Sequence, residues 1–241
     1  MNNSFIRTEM LLGSEAMEKL AAARVAVFGV GGVGGYVCEA LARSGVGALD
    51  LIDHDTVSAS NLNRQIIALN STVGQYKTDV MRERIADIDP EIRVHVWHSF
   101  FLPENRDCFD FDSYSYMVDA VDTVTAKLEL ARISCERGIP LISAMGTGNK
   151  LDPSRLRISD ISQTHTCPLA RTMRRELRRR GIPKLTVVWS DEEPITPIRP
   201  IEPDRPDPER GRKDIPGSSP FVPSAAGLLI ASKVVRDLIG R

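Results

Sequence analysis

The sequence predicts an α/β protein: a Rossmann-like, doubly wound and mainly parallel sheet, with a smaller C-terminal α+β portion packed on it. Three observations lead there. Short apolar, β-branched runs alternate with helix-period segments as far as residue 150. The first such run ends in GVGGVGG (29–35), directly before a helical pattern. After Gly148 the alternation gives way to two strand-like runs, an arginine-rich helix, a proline-rich stretch and a closing helix. The expected division is therefore 1–150 for a nucleotide-binding region and 151–241 for a substrate-binding portion.

The elements follow in order. Ser14 is placed to cap a short helix reaching about Leu20, and ARVAVFGV (23–30) is a buried strand ending in glycines. GGYVCEALARSG (34–45) is a helix stopped by Gly45, and ALDLID (48–53) a second strand. QYKTDVMRERIADI (75–88) is a helix that stops before Asp89-Pro90. IRVHVW (92–97) and YSYMVDAV (114–121) are strands, KLELARISCERG (127–138) a helix closed by Gly138, and IPLISAM (139–145) a fifth strand. Parallel strands joined by helices imply right-handed crossovers. Beyond them RLRISDIS (155–162) and KLTVVWS (184–190) read as strands flanking the helix PLARTMRRELRRRG (168–181). Residues 191–220, with eight acidic and five basic residues among many prolines, read as a flexible linker or flap. PSAAGLLIASKVVRDLIG (223–240) closes the chain as a helix with Ser224 at its start and Gly240 at its end.

A net charge of −1 gives no global attraction to nucleic acid, so any such binding must come from a local patch. MNNSFIRTEM lacks a signal-peptide pattern, and AAGLLIA (225–231) is far short of the ~20 apolar residues of a membrane span. A cytoplasmic protein with no membrane partner is the expectation. Cys38, Cys108, Cys135 and Cys167 form no Cys-x-x-Cys pair, which argues against structural zinc. His95 and His98 fall in a strand region that turns them to opposite sides, so they read as surface residues.

Gly29, Gly31 and Gly34 fit G-x-G-x-x-G between a strand and a helix, where backbone N–H groups and the positive helix end receive phosphate. Asp53 ends the second strand, in reach of a ribose. The fingerprint alone names no nucleotide. SNLNRQ (60–65) discriminates, because a reaction at ATP phosphates needs cations and oriented donors that a dinucleotide does not. Arg64 offers a planar fork, Asn61 and Gln65 orient oxygens, and Lys77 adds a second cation. Asp122, just past the fourth strand, is suited to hold Mg²⁺.

Taken together, RVAVFGVGGVGGYVCEALARSGVGALDLIDHDTVSASNLNRQ followed by VGQYK resembles the ubiquitin-activating-enzyme superfamily of ATP-dependent carboxylate activators. The resemblance implies ATP-site roles for Gly31, Gly32, Asp53, Asn61, Arg64, Lys77 and Asp122, with Asp55 supporting. It also implies that Arg7, in FIRTE, reaches the ATP site of a second copy, and hence a homodimer. DISQTHTCPLARTMRRELRRRGI and FVPSAAGLLIASKVVRDLI are similar to the tRNA threonylcarbamoyladenosine dehydratases. Those enzymes cyclise the threonylcarbamoyl side chain on the adenosine beside the anticodon. The resemblance therefore implies a tRNA substrate, with ATP and Mg²⁺, and leaves a cysteine desulfurase or sulfur-acceptor system open as a further partner.

The arginine helix bears on the same choice. Leu169, Met173 and Leu177 share one face, while Arg171, Arg174, Arg175, Arg178, Arg179 and Arg180 cover much of the rest against the single acid Glu176. In a chain of near-zero net charge this concentration favours phosphate binding over an ordinary solvated face. An adenylyltransferase for a small sulfur-carrier protein is the rival within the fold. An NAD(P)-dependent oxidoreductase, disfavoured by Arg64 and Lys77, and a non-enzymatic nucleotide sensor are the rivals outside it.

Overall fold

The computed structural model describes residues 3–198 and 216–241. Residues 199–215, the middle of the expected proline-rich segment, lie outside the described residues. Helices α1 (Ile6–Leu12) and α2 (Ser14–Ala22) lead into β1 (Arg24–Phe28), α3 (Gly34–Ala42), β2 (Ala48–Ile52), α4 (Lys77–Ile88) and β3 (Arg93–Trp97). The chain continues through β4 (Tyr116–Asp119), α5 (Val124–Arg137) and β5 (Leu141–Ala144). It ends with β6 (Leu156–Asp160), α6 (Pro168–Arg179), β7 (Thr186–Ser190) and α7 (Phe221–Ile239).

The seven strands of the described residues form one sheet in the order β3-β2-β1-β4-β5-β7-β6. The first five strands pair in parallel, as their apolar runs require: β1, β2, β4 and β5 are buried almost throughout, as strands covered on both faces must be. β7 extends the sheet in parallel beside β5, and β6 returns antiparallel along β7. The last two strands thus continue the sheet of the first half. The strand order reverses between β1 and β4, the switch point outside which ligands bind in open α/β sheets.

One face of the sheet is covered by α2, α3, α4 and α7, whose Leu20, Val37, Leu41, Met81, Ile85, Ile230 and Val234 meet Val25, Val27, Leu49 and Leu51. The other face is covered by α5, α6 and an aromatic segment in which Phe101, Phe109 and Phe111 gather round Phe28. Asp50, buried in β2, is saturated by Arg24, the Trp97 indole at 3.0 Å and the Tyr114 hydroxyl at 3.1 Å, which offsets its desolvation. No helix among the described residues is long and apolar enough to cross a membrane.

Two serines act differently from expectation. α2 begins at Ser14 itself, with Gly13 before it, and the Ser14 hydroxyl donates to Glu9 at 2.7 Å. α7 begins three residues before Ser224, so that the Ser224 hydroxyl lies inside the first turn and donates back to the carbonyls of Pro220 and Phe221. Pro223 is tolerated there because a first-turn N–H has no helical acceptor.

Candidate nucleotide site

The glycine loop leaves β1 at the switch point, and its glycines divide by cause. Gly29 has φ +91°, and a Cβ on it would stand 2.7 Å from the Ala120 carbonyl oxygen. A Cβ on Gly34 would fall 1.8 Å from the Gly29 oxygen. Those two positions are fixed by the backbone's own packing. Gly31 and Gly32 instead lie beside side chains of the SNLNRQ turn. The nearest atom to a Cβ on Gly31 is Gln65 Nε2 at 3.8 Å, and a Cβ on Gly32 would touch Pro223 of α7 at 3.4 Å and the Arg64 stem at 3.5 Å. The structure therefore separates Gly29 and Gly34, which build the loop, from Gly31 and Gly32, which meet only side chains.

Asp53, just past β2, spends both carboxylate oxygens on this frame. Its Oδ2 accepts from the Val30 N–H at 2.8 Å and its Oδ1 from the Asp55 N–H at 2.9 Å. Each oxygen keeps a second lone pair for a ligand. Lys77 opens α4, where the helix dipole disfavours a cation. It is nevertheless buried, held by Asp55 at 2.6 Å and 4.0 Å from Asp53. Asp53, His54 and Asp55 gather ligand atoms within 4.8 Å of one another, but the Lys77 ammonium already sits against that group.

The SNLNRQ turn is built by Asn61. Buried, it accepts from the Ser58 N–H through Oδ1 at 3.1 Å, and its carbonyl accepts from the N–H groups of Arg64 and Gln65. Arg64 is partly buried, and burial pulls its pKa down. Its Nη1 donates to the Ser60 carbonyl at 2.9 Å and to Asn63 Oδ1 at 2.8 Å, while no carboxylate pairs with it among the described residues. The Nε–Nη2 edge is left as a fork. Gln65 is buried with its Oε1 unpartnered. A buried acceptor without a donor is costly, so Gln65 carries a polar atom that the described residues do not satisfy. Asp122 lies exposed on the turn between β4 and α5, with the Thr123 hydroxyl 3.4 Å away.

Arg7 is not at this edge of its own chain. It is exposed on α1, which starts beside the far end of α3, where Phe5 lies against Gly45. Ile6, Met10 and Leu11 around it are exposed at 53%, 83% and 78%. Cys167, at the start of α6, is buried.

On α6, Met173 and Leu177 face the core as expected. The arginines are not equivalent. Arg174 is partly buried and donates to the carbonyl of Thr164 at 2.7 Å and to its hydroxyl, fastening the loop before the helix. Arg175, Arg179 and Arg180 share Glu176, and Arg171 and Arg178 face solvent without an ion-pair partner among the described residues.

Sequence reasoning missed Lys127. Fully buried in α5, its ammonium lies 3.1 Å from both Asp119 oxygens, 3.3 Å from Ser143 Oγ and 2.7 Å from the Ala144 carbonyl. Asp119 also accepts from the Val121 N–H at 3.3 Å, one residue before Asp122. This ion pair ties the ends of β4 and β5 together beneath the Asp122 turn. The only signal was a lysine one turn into a helix that follows a strand ending in Asp.

The profile of the ThiF family matches residues 5–241. The chain belongs to the ThiF family. It is 46% identical to the tRNA threonylcarbamoyladenosine dehydratase of Bacillus subtilis, over 99% of this chain and 96% of that one. Crystal structures of the Escherichia coli tRNA N6-threonylcarbamoyladenosine dehydratase TcdA with AMP and with ATP superpose with TM-scores of 0.87 and 0.86. Both are 34% identical and cover 98% of this chain, and 94% and 93% of theirs. The adenylyltransferase and sulfurtransferase UBA4 of Vanderwaltozyma polyspora is 31% identical over 64% of this chain and only 35% of its own length. Likeness to the Bacillus subtilis dehydratase and to TcdA thus spans nearly the whole chain, and likeness to UBA4 less than two thirds of it.

Proposed function

We propose that this protein is an ATP-dependent enzyme that cyclises, with loss of water, the N6-threonylcarbamoyl group of an adenosine beside the anticodon of tRNA. The observation that carries the reading is full-length kinship with a dehydratase of that name, over 99% of the chain. The rival, activation of a sulfur-carrier C-terminus, is supported only by the shorter match and is not favoured.

The site suits ATP on its own chemistry. Gly31 lies beside the Gln65 side chain, Gly32 beside the Arg64 stem, and the Arg64 edge without a carboxylate partner is suited to an anion. ATP supplies the activation that gives a carboxylate a leaving group. In this reading Gly29, Gly31, Gly32 and Gly34 form the phosphate-facing loop, and Asp53 and Asp55 brace it beside the ribose. Asn61 and Gln65 orient polar atoms, and Arg64 and Lys77 neutralise charge developing on phosphorus. Asp122 would hold Mg²⁺ through the phosphates. Arg7 reaches the site of a second copy, consistent with its place on an exposed apolar helix remote from its own site.

Once the threonyl carboxylate is activated, the nucleophile lies in the same side chain and the ring closes within one molecule. Such proximity is worth about 7–11 kcal/mol and asks for no enzyme cysteine. Residues 151–241 then serve as the substrate portion, with Arg171, Arg175, Arg178 and Arg179 offered to tRNA phosphates and Arg174 bracing their helix. A cytoplasmic location suits that substrate, and a cysteine desulfurase or sulfur-acceptor system is a partner to test by co-purification.

The deciding experiment incubates the protein with ATP, Mg²⁺ and threonylcarbamoylated tRNA and reads the nucleosides by mass spectrometry. Loss of one water from the modified adenosine is expected. No loss, with adenylation of a carrier-protein C-terminus instead, overturns the reading.

A further inference from the structure

Three stretches remote in sequence meet on Asn149, and nothing in the chemistry above uses them. Asn149 has φ 58°, a left-handed conformation that asparagine tolerates better than most residues. Its N–H donates to the Gly217 carbonyl at 2.7 Å, and its Oδ1 accepts from the Gly217 N–H at 2.7 Å. Its own carbonyl accepts from the Ile195 N–H at 2.8 Å. Two flanks of the proline-rich stretch, Ile195 and Gly217, are thereby clasped on one residue. The neighbourhood is pinned as well. The buried Lys150 ammonium donates to the Glu192 carbonyl at 2.5 Å, and the Glu192 carboxylate accepts from the N–H groups of Leu151 and Asp152.

A second link joins the clasp to the nucleotide edge. Asn63, in the SNLNRQ turn, donates through Nδ2 to the Ser218 carbonyl at 3.0 Å, and its Oδ1 accepts from Arg64 at 2.8 Å. Beside it, Ser219 Oγ is buried and unpartnered, so the hydrogen bonding of this strap is incomplete as it stands.

We propose that Asn63 and Asn149 are positioning residues of a hydrogen-bonded relay: Asn63 passes the orientation of Arg64 to the strap 216–219, and Asn149 fixes that strap to the substrate side of the sheet. The inference rests on Arg64 being a phosphate ligand, as argued under the proposed function. With Nη1 held by Ser60 and Asn63, a phosphate on the remaining edge of Arg64 stiffens Asn63, and through it Ser218 and Gly217. Linkage requires the same coupling in reverse, so that a substrate ordering the strap tightens ATP binding.

Amide hydrogen exchange at Asn149 and Gly217 reads the relay directly. Saturating the wild-type protein with ATP–Mg²⁺ is expected to slow exchange there by about fivefold or more, the lower end of ordinary coupling between sites. In Asn63→Ala, nucleotide still raises the melting temperature but the exchange response vanishes. Asn149→Gly keeps the backbone conformation, loses the Oδ1 acceptor and loses the response, whereas Asn149→Asp keeps the acceptor and the response. An unresponsive wild type, or a full response in Asn63→Ala, overturns the relay. Should exchange respond while no water is lost from modified tRNA, the proposed function fails and the relay stands.

Discussion

The two groups of cations in this chain are built on opposite plans. At the nucleotide edge, Lys77 is buried against Asp55 and Arg64 is held by one nitrogen with its fork free. On α6, Arg171, Arg175, Arg178 and Arg179 stand in solvent, and Glu176 is the acid that Arg175 and Arg179 share with Arg180. A cation oriented in advance stabilises charge that appears at one point during a reaction. Exposed arginines keep their rotamer freedom and answer to the summed field of a long polyanion, which salt screens. Under the proposed function, burial would separate chemistry from capture, and salt is the variable that distinguishes them.

The comparison breaks first at its buried half. Arg64→Ala or Lys77→Ala should lower kcat for ATP consumption on the order of 10²–10³-fold, the usual cost of one transition-state donor. That loss should persist from low to high salt in a steady-state assay. A loss that disappears at high salt would place these residues with the α6 group. The exposed half follows. Replacing Arg171, Arg175, Arg178 and Arg179 together with Ala should leave the KM for ATP unchanged. The slope of log Kd for tRNA against log salt should fall by about 3, at roughly 0.7–0.9 per phosphate contact. Filter binding across a salt series measures it, and an unchanged slope removes α6 from the tRNA surface. Arg174 is left out of that set because its replacement frees the Thr164 loop and confuses binding with folding.

How far the sequence was legible follows the same physics. The unit β1–α3–β2 and the parallel core were readable because strands buried on both faces must be continuous apolar runs and because the Gly29 turn admits no Cβ. The antiparallel direction of β6 was not, since a string such as RLRISDIS carries no sign of which neighbour it will meet. That Gln65 and Arg64 lie beside the glycine loop was legible from their place just after it, whereas Lys77 is instead set against Asp53 and Asp55. Lys127 was hidden because a helical lysine ordinarily faces water, and only the fold brings Asp119 and Ser143 round it. Ser14 and Ser224 show the limit at short range: a good capping side chain is visible in sequence, but the carbonyl or carboxylate its hydroxyl reaches is not.

Gln65 and Glu39 test the comparison more finely. Gln65→Leu removes a buried acceptor that lacks a donor, so the unliganded protein should gain about 1 kcal/mol in urea unfolding. The ATP-induced rise in Tm should shrink at the same time, because the leucine offers nothing to the nucleotide. A gain in stability with an undiminished ATP shift would mean that Gln65 Oε1 faces no ligand.

The smallest effect belongs to a third plan, in which cations serve only the fold. Glu39 of α3 accepts from Arg43 at 2.7 Å and from Arg84 of α4 at 2.6 Å. Burial works to raise its pKa, but the hydrogen bonds from Arg84 and Arg43 outweigh that and hold the carboxyl below the usual carboxylate range. With the folded pKa below the unfolded value of about 4.3, this pairing stabilises the protein above that pH and is lost as pH falls through the folded pKa. Glu39→Gln should therefore be less stable than wild type at pH 7 by a margin that stays constant to about pH 5 and closes below about pH 4. Urea unfolding along that series measures the margin. ATP turnover and tRNA affinity should not move with it, because Arg43 and Arg84 meet an acid already in the fold, whereas Arg64, Arg171 and Arg178 have no carboxylate partner among the described residues.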